Sequence, residues 1–313
     1  TTHLCLPQWA AIAGFLLLPF AGTSREMGSY QSLVWANILT LCGTVLIPLG
    51  YYTIEGVEEI RAVSAQWFAV APLTPVGVLS GLSTFGFGMS SQFMLTEIIG
   101  EMRDPSELPK AYIRISAPFQ LAAFMVAGLG GYYFMGDKAE GMINETLPFN
   151  VAFQLAAACL IIHMLISYLI KGVVFCRSAL RAVCEKYDNP DDKRPRSWIA
   201  WNAVVVLALL SVWLLANLVP FFADAVDLLG SSLCPIACWI LPIAMFARFY
   251  YDAGEERPTI SPLEWVVLFL EFAMSIGLTV LGTYSSVQTL RRHWHTYGYP
   301  FACHCEGMWS TCA

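Results

Sequence analysis

Thr74-Pro75-Val76-Gly77-Val78-Leu79-Ser80-Gly81-Leu82-Ser83-Thr84-Phe85-Gly86-Phe87-Gly88-Met89-Ser90-Ser91-Gln92-Phe93-Met94-Leu95-Thr96-Glu97-Ile98-Ile99-Gly100-Glu101-Met102-Arg103-Asp104-Pro105 decides how the chain is read. No charged residue falls between Pro75 and Thr96. A helix needs roughly 20 such residues to cross a bilayer, so the stretch is long enough. It is a poor plain helix, because Gly77, Gly81, Gly86, Gly88 and a set of Ser and Thr stand where Leu and Val are usual. Each Gly costs about 1 kcal/mol against Ala in a helix, so the density predicts a break within Ser83–Ser91. Irregular backbone at membrane depth survives where it is buried in protein or lines a wet cavity, and transporters bind substrate and ions at such gaps. A tightly packed unbroken helix is the other reading, since small residues also let neighbouring helices approach.

Outward from that stretch the chain is apolar throughout. Hydrophobic residues make up 57% of it and charged residues 13%, against roughly 25% charged in soluble domains. Eight stretches of spanning length follow one another: Leu4–Ala21, Ser32–Tyr52, Val76–Ile99, Ile115–Met135, Phe149–Phe175, Trp198–Phe222, Val226–Phe249 and Leu263–Thr289. The fold class expected is all-α, a polytopic helix bundle with a broken third span. Residues 1–290 form the membrane domain and 291–313 a tail.

Loop charge orients the bundle. Alternate connections, beginning with Gly22–Gln31, hold 13 of the 17 Lys and Arg residues, and the opposite side holds Arg61, Lys138, Arg291 and Arg292. Basic loops stay cytoplasmic, which places both chain ends on the other side. The sequon Asn144-Glu145-Thr146 then lies outside, though only five residues before Phe149. Cys42, Cys159, Cys234 and Cys238 fall inside spans and read as small packing residues. In the tail, Cys303-His304-Cys305 has one-residue spacing, too tight for a usual zinc site. Disulfides or an unstructured tail fit it better, and no metal or cofactor is expected.

Three polar positions stand out in the remaining spans. His163 and Ser167 lie one turn apart on one helix face, and a His in hydrocarbon is either functional or satisfied by a neighbouring span. Glu271 sits well inside the last span and reads as a protonated or interhelically hydrogen-bonded carboxyl rather than as a proton relay.

The residues also carry a family likeness. Phe85–Ala111, with Thr96-Glu97-Ile98-Ile99-Gly100-Glu101-Met102-Arg103-Asp104-Pro105 and Leu108-Pro109-Lys110-Ala111, resembles the amino acid/auxin permease family. Gly131–Leu147, His163–Tyr168 and Pro220–Pro242 resemble its later segments in the same order. The resemblance implies an inverted-repeat fold of the leucine-transporter type with eleven spans, of which these eight would be the fourth to the eleventh. The third span here then corresponds to the broken first helix of the second repeat. The three earlier spans of the family, with its other broken helix, have no counterpart in the sequence. Gln92 stands where many members carry His.

What the resemblance implies is a secondary transporter working by alternating access, moving a small amino acid with a proton or sodium ion as coupling cation. The substrate contacts expected are Ser83, Thr84, Phe85, Gly86, Phe87, Gly88, Ser90, Ser91 and Gln92, with His163 and Ser167. The rival expectation is an accessory subunit of a larger membrane complex that kept the fold without transporting, with other membrane protein subunits as its partners. Without the first broken helix, the eight spans alone are expected not to move amino acids. An enzyme is not expected, since the sequence offers no nucleophile–base set, phosphate loop or metal motif.

Overall fold

The computed structural model describes residues 5–56, 66–68, 74–90, 94–139, 143–187, 189, 192, 194–218, 222–254, 258–297 and 301. Every regular element among them is helical, and six stretches are long and apolar enough to span a membrane. The chain is an integral, multi-pass, all-α membrane protein. The helices are α1 (Leu6–Thr23), α2 (Gln31–Glu55), α3 (Pro75–Gly88), α4 (Leu95–Glu101), α5 (Ala117–Met135), α6 (Val151–Cys184), α7 (Pro195–Leu218), α8 (Phe222–Pro235), α9 (Leu241–Asp252), α10 (Pro262–Gly277) and α11 (Thr283–Tyr297).

Local chemistry explains where these helices start. Pro occupies the first turn of α1, α3 and α10, where a missing N–H costs nothing. Thr74 caps α3 by accepting the Gly77 N–H at 3.1 Å, and Asn150 caps α6 through Phe153 at 3.0 Å. Ser261 and Glu264 form a reciprocal capping box on α10. The α5 helix stops at Gly136, whose φ of 57° is open to glycine at little cost.

Three single π turns interrupt longer helices: Tyr112–Ser116, Ile236–Ile240 and Leu278–Gly282. Two of them have a common cause. Pro118 and Pro242 lack the N–H that would bond the carbonyls of Arg114 and Cys238, four residues back, and those carbonyls lie inside the π turns.

The chain divides into two compact units. The first comprises α1, α2, α5, α6 and α7. Leu17, Tyr30, Leu169, Val173, Cys176, Trp201 and Val205 form its main core where α1, α6 and α7 meet. Trp201 donates its indole N–H to the Ala21 carbonyl at 3.3 Å, and Trp213 donates to Pro7 at 3.0 Å. A second cluster, with Tyr52, Met135, Leu147 and Phe153, joins α2, α5 and α6. Gly43 brings α2 close to Cys159 of α6, which packs as a small apolar residue as expected.

Connections of the first unit sort by side. Arg25 donates to Ser197 at 2.8 Å and to the Asn189 carbonyl at 3.4 Å, and Met27 N–H reaches Glu101 at 3.1 Å. At the opposite helix ends, Gln66 N–H reaches Asp137 at 2.8 Å, and Trp67 bonds the Tyr132 carbonyl at 3.1 Å. These groupings match the alternation of connections that the loop charges imply. On the Arg25 side, the Arg194 guanidinium grips Asp192 with two 2.8 Å bonds and holds that carboxyl down to about 2.

The second unit comprises α3, α8, α9, α10 and α11. Its helices are shorter, and α3 packs chiefly on α8. Most large apolar side chains of both units point outward, as hydrocarbon-facing helices require.

Candidate functional site

The third span is interrupted. Helix α3 runs from Pro75 to Gly88, Met89 and Ser90 form a turn, and helix resumes at Leu95. The turn falls within the expected window, Ser83–Ser91, at its far end, since Ser83 to Gly88 remain helical. The reason lies in packing. Ser83 and Gly86 are buried, and a Cβ on Gly86 would come within 3.3 Å of the Gly230 carbonyl and 3.2 Å of Trp239. A Cβ on Gly230 would collide with the Ser83 carbonyl. Small residues here serve close helix approach, so both readings of the stretch hold, each for a different part of it.

At the end of α3 the Phe85 carbonyl accepts the Met89 N–H at 2.9 Å, and the Phe87 carbonyl accepts both the Ser90 N–H at 3.2 Å and its hydroxyl at 2.6 Å. Ser90 is thereby buried against the last turn. Phe85 and Phe87 leave apolar surface open beside it. The carbonyl end of a helix carries a partial negative charge of about half an electron, a suitable pole for an ammonium group or a cation. Ser91 and Gln92 lie outside the described residues.

The other two expected contacts belong to the first unit. His163 Nδ1 lies 3.3 Å from the Asn37 carbonyl, and Ser167 Oγ lies 3.4 Å from both ends of the Asn37 side-chain amide. One asparagine on α2 thus occupies both polar positions of α6. Glu271 is half-buried on α10, and its carboxyl has no hydrogen bond to another described residue, so of its two expected forms the interhelical bond is not seen.

Sequence reasoning missed Asp227. It lies on α8, where its Oδ1 accepts the Thr84 hydroxyl at 2.6 Å and its Oδ2 accepts the Ser80 hydroxyl. One carboxylate therefore bridges two successive turns of α3. The seventh span had been drawn from Val226, which left Asp227 at its margin. In the structure α8 already begins at Phe222, so Asp227 is well within the helix. The available signal was the pairing of Asp224 and Asp227 one turn apart with hydroxyls spaced four apart on another span. Asn37 was missed for want of any periodic signal.

The model of the transmembrane amino acid transporter protein family matches residues 1–288. Among curated proteins, the chain is similar to amino acid transporter AVT3A of Arabidopsis thaliana, 26% identical over 223 residues, covering 69% of this chain and 48% of that protein. It is likewise 26% identical over 269 residues to amino acid transporter AVT3B of the same plant, covering 83% of this chain and 59% of that one. The N amino acid transport system protein of Neurospora crassa is 20% identical over 264 residues, covering 82% and 55%. The chain spans about half the length of the curated relatives it matches. No solved structure matches it.

Proposed function

The chain belongs to the transmembrane amino acid transporter protein family, and on that premise we propose that it takes part in secondary transport of a small amino acid by alternating access. Membership in a family of transporters agrees with the expectation that it is not an enzyme. One observation carries the proposal: a charge-free span whose helix stops at Gly88 and restarts at Leu95. Substrate contacts fall on the end of α3, where the carbonyl pole suits the amino group and the open faces of Phe85 and Phe87 suit an apolar side chain, while Ser83, Thr84 and Gly86 are taken up by α8. His163 and Ser167, already engaged by Asn37, are a subsidiary polar position. A proton or sodium ion supplies the drive.

The side holding Arg25, Arg103 and Arg194 is the cytoplasmic one in this proposal. Cys5 is disulfide-bonded, which suits an oxidising compartment at the chain's start. The tail 291–313 lies on that same outer side, with α11 continuing past its boundary to Tyr297. Cys184 is a free, exposed thiol on the inner side, so an impermeant maleimide should label it only from the cytoplasmic face.

The test of transport is uptake of labelled small neutral amino acids into vesicles carrying the protein, under an imposed proton or sodium gradient. Gradient-dependent uptake that is lost on Gly88→Leu supports the proposal. Absence of uptake, with the chain recovered bound to other membrane proteins, would favour a non-transporting subunit instead.

A further inference from the structure

Helix α3 is attached to its unit in two different ways along its length. Its last two turns pack by close backbone approach, with Ser83 on Gly230 and Gly86 against Trp239 and Leu278. Interleaved with these contacts, one carboxylate, Asp227, takes the hydroxyls of Ser80 and Thr84 on separate oxygens. The two hydroxyls are four residues apart and so stand on one face of α3. No ionisable side chain occurs on α3, so the carboxyl group of this contact comes from α8. Ser231, one turn beyond Asp227, donates to the Asp227 carbonyl at 2.8 Å and lies 3.3 Å from the Ser286 hydroxyl of α11. The carboxylate is therefore carried on a helix that is itself joined to α11.

We propose that Asp227 is a positioning residue: it pins the middle turns of α3 to α8 and so fixes where the interrupted end, Gly86–Ser90, is presented. Hydrogen bonds to a carboxylate acceptor are roughly twice as strong as neutral ones. Losing both loosens the turns they hold while the close contacts of Ser83 and Gly86 remain. The consequence for transport rests on the proposed function above; the pin itself does not.

The experiment is amide hydrogen exchange of the chain in lipid nanodiscs, read over Val76–Thr84. Asp227→Asn should speed exchange there about ten-fold or more, because the amide keeps only one acceptor. The Ser80→Ala, Thr84→Ala double variant should match it, and all three changes together should be no faster than either, as one shared interaction requires. Ser80→Thr, which keeps the hydroxyl, should stay near the parent, and exchange in α2 and α6 should not move. Unchanged exchange in Asp227→Asn, additive effects, or protection lost equally across α10 and α11 would each overturn the pin. Should Asp227→Asn not fold, the Thr84→Ala single variant decides by the same readout. In the uptake assay, Asp227→Asn should raise KM about ten-fold with maximal rate within two-fold, since it lowers the fraction of chains with the end of α3 in place. A parent protein without uptake would count against transport alone, leaving the exchange result to judge the pin.

Discussion

The contact of α2 with α6 and the contact of α3 with α8 solve the same problem by opposite means. Both join two helices in an apolar surrounding and both include polar side chains. In the first, long helices meet through Gly43 and Cys159, and the polar members, Asn37 with His163 and Ser167, lie 3.3–3.4 Å apart. In the second, short interrupted helices meet through glycine and serine backbones, and a carboxylate accepts a hydroxyl at 2.6 Å. Where length and apolar area are plentiful, polar contacts are weak and replaceable. Where a helix is cut short, a charged contact and close approach must do what area does elsewhere.

The largest test of this contrast is Trp201→Ala in the first unit. Trp201 is almost wholly buried in the α1–α6–α7 core, so its loss should cost about 4 kcal/mol, measured by unfolding in denaturing detergent. A loss under about 1 kcal/mol would show that area is not what holds the first unit. Next comes Gly230→Ala, whose methyl meets the Ser83 carbonyl. Overpacking of that kind costs about 2 kcal/mol, and the damage should appear as faster amide exchange in α3 and α8 with α6 unaffected. A neutral outcome would mean the two helices slide apart at no cost. A smaller effect is expected for Asn37→Leu: neutral bonds between helices in a membrane average about 0.6 kcal/mol. A much larger loss would place the His163 and Ser167 contacts on a par with those of Asp227. Smallest is Asn144→Gln, which should leave the electrophoretic mobility of the expressed protein unchanged. Asn144 is 5% exposed within a short helical turn, a poor acceptor for a glycan despite its sequon and outer position.

The sequence announced helices because hydrocarbon forces every backbone polar group to be satisfied within its own segment. Thus the ranges drawn for the fifth and sixth spans lie close to α6 and α7. The break in the third span was legible too, within the window Ser83–Ser91, but which of the glycines serve packing rather than the break was not. Glycine at Gly86 reflects a neighbour, Trp239, that nothing local reveals. Asp227 was hidden for a related reason: its meaning depends on Ser80 and Thr84, more than 140 positions away. The π turns were foreshadowed only by Pro118 and Pro242, and a proline in a span predicts disturbance without its form. Phe301, with φ of 63°, accepts no reading from composition at all, though its N–H reaches the Asn217 carbonyl at 3.3 Å.

The π turn at Ile236–Ile240 has a bearing on how this chain tolerates change in length. Such a turn holds one residue more than the α-helical winding around it, so it acts as slack in the winding between α8 and α9. Deleting one residue there removes the extra residue of the turn and leaves the two flanks in their α-helical register, although the carbonyl four residues before Pro242 stays without its N–H. Deleting one residue in the middle of α6, which has no slack, rotates everything beyond it by about 100° and swings lipid-facing side chains into the core. Length variation among natural versions of this protein should therefore collect at Tyr112–Ser116, Ile236–Ile240 and Leu278–Gly282, inside spans where indels are otherwise lethal.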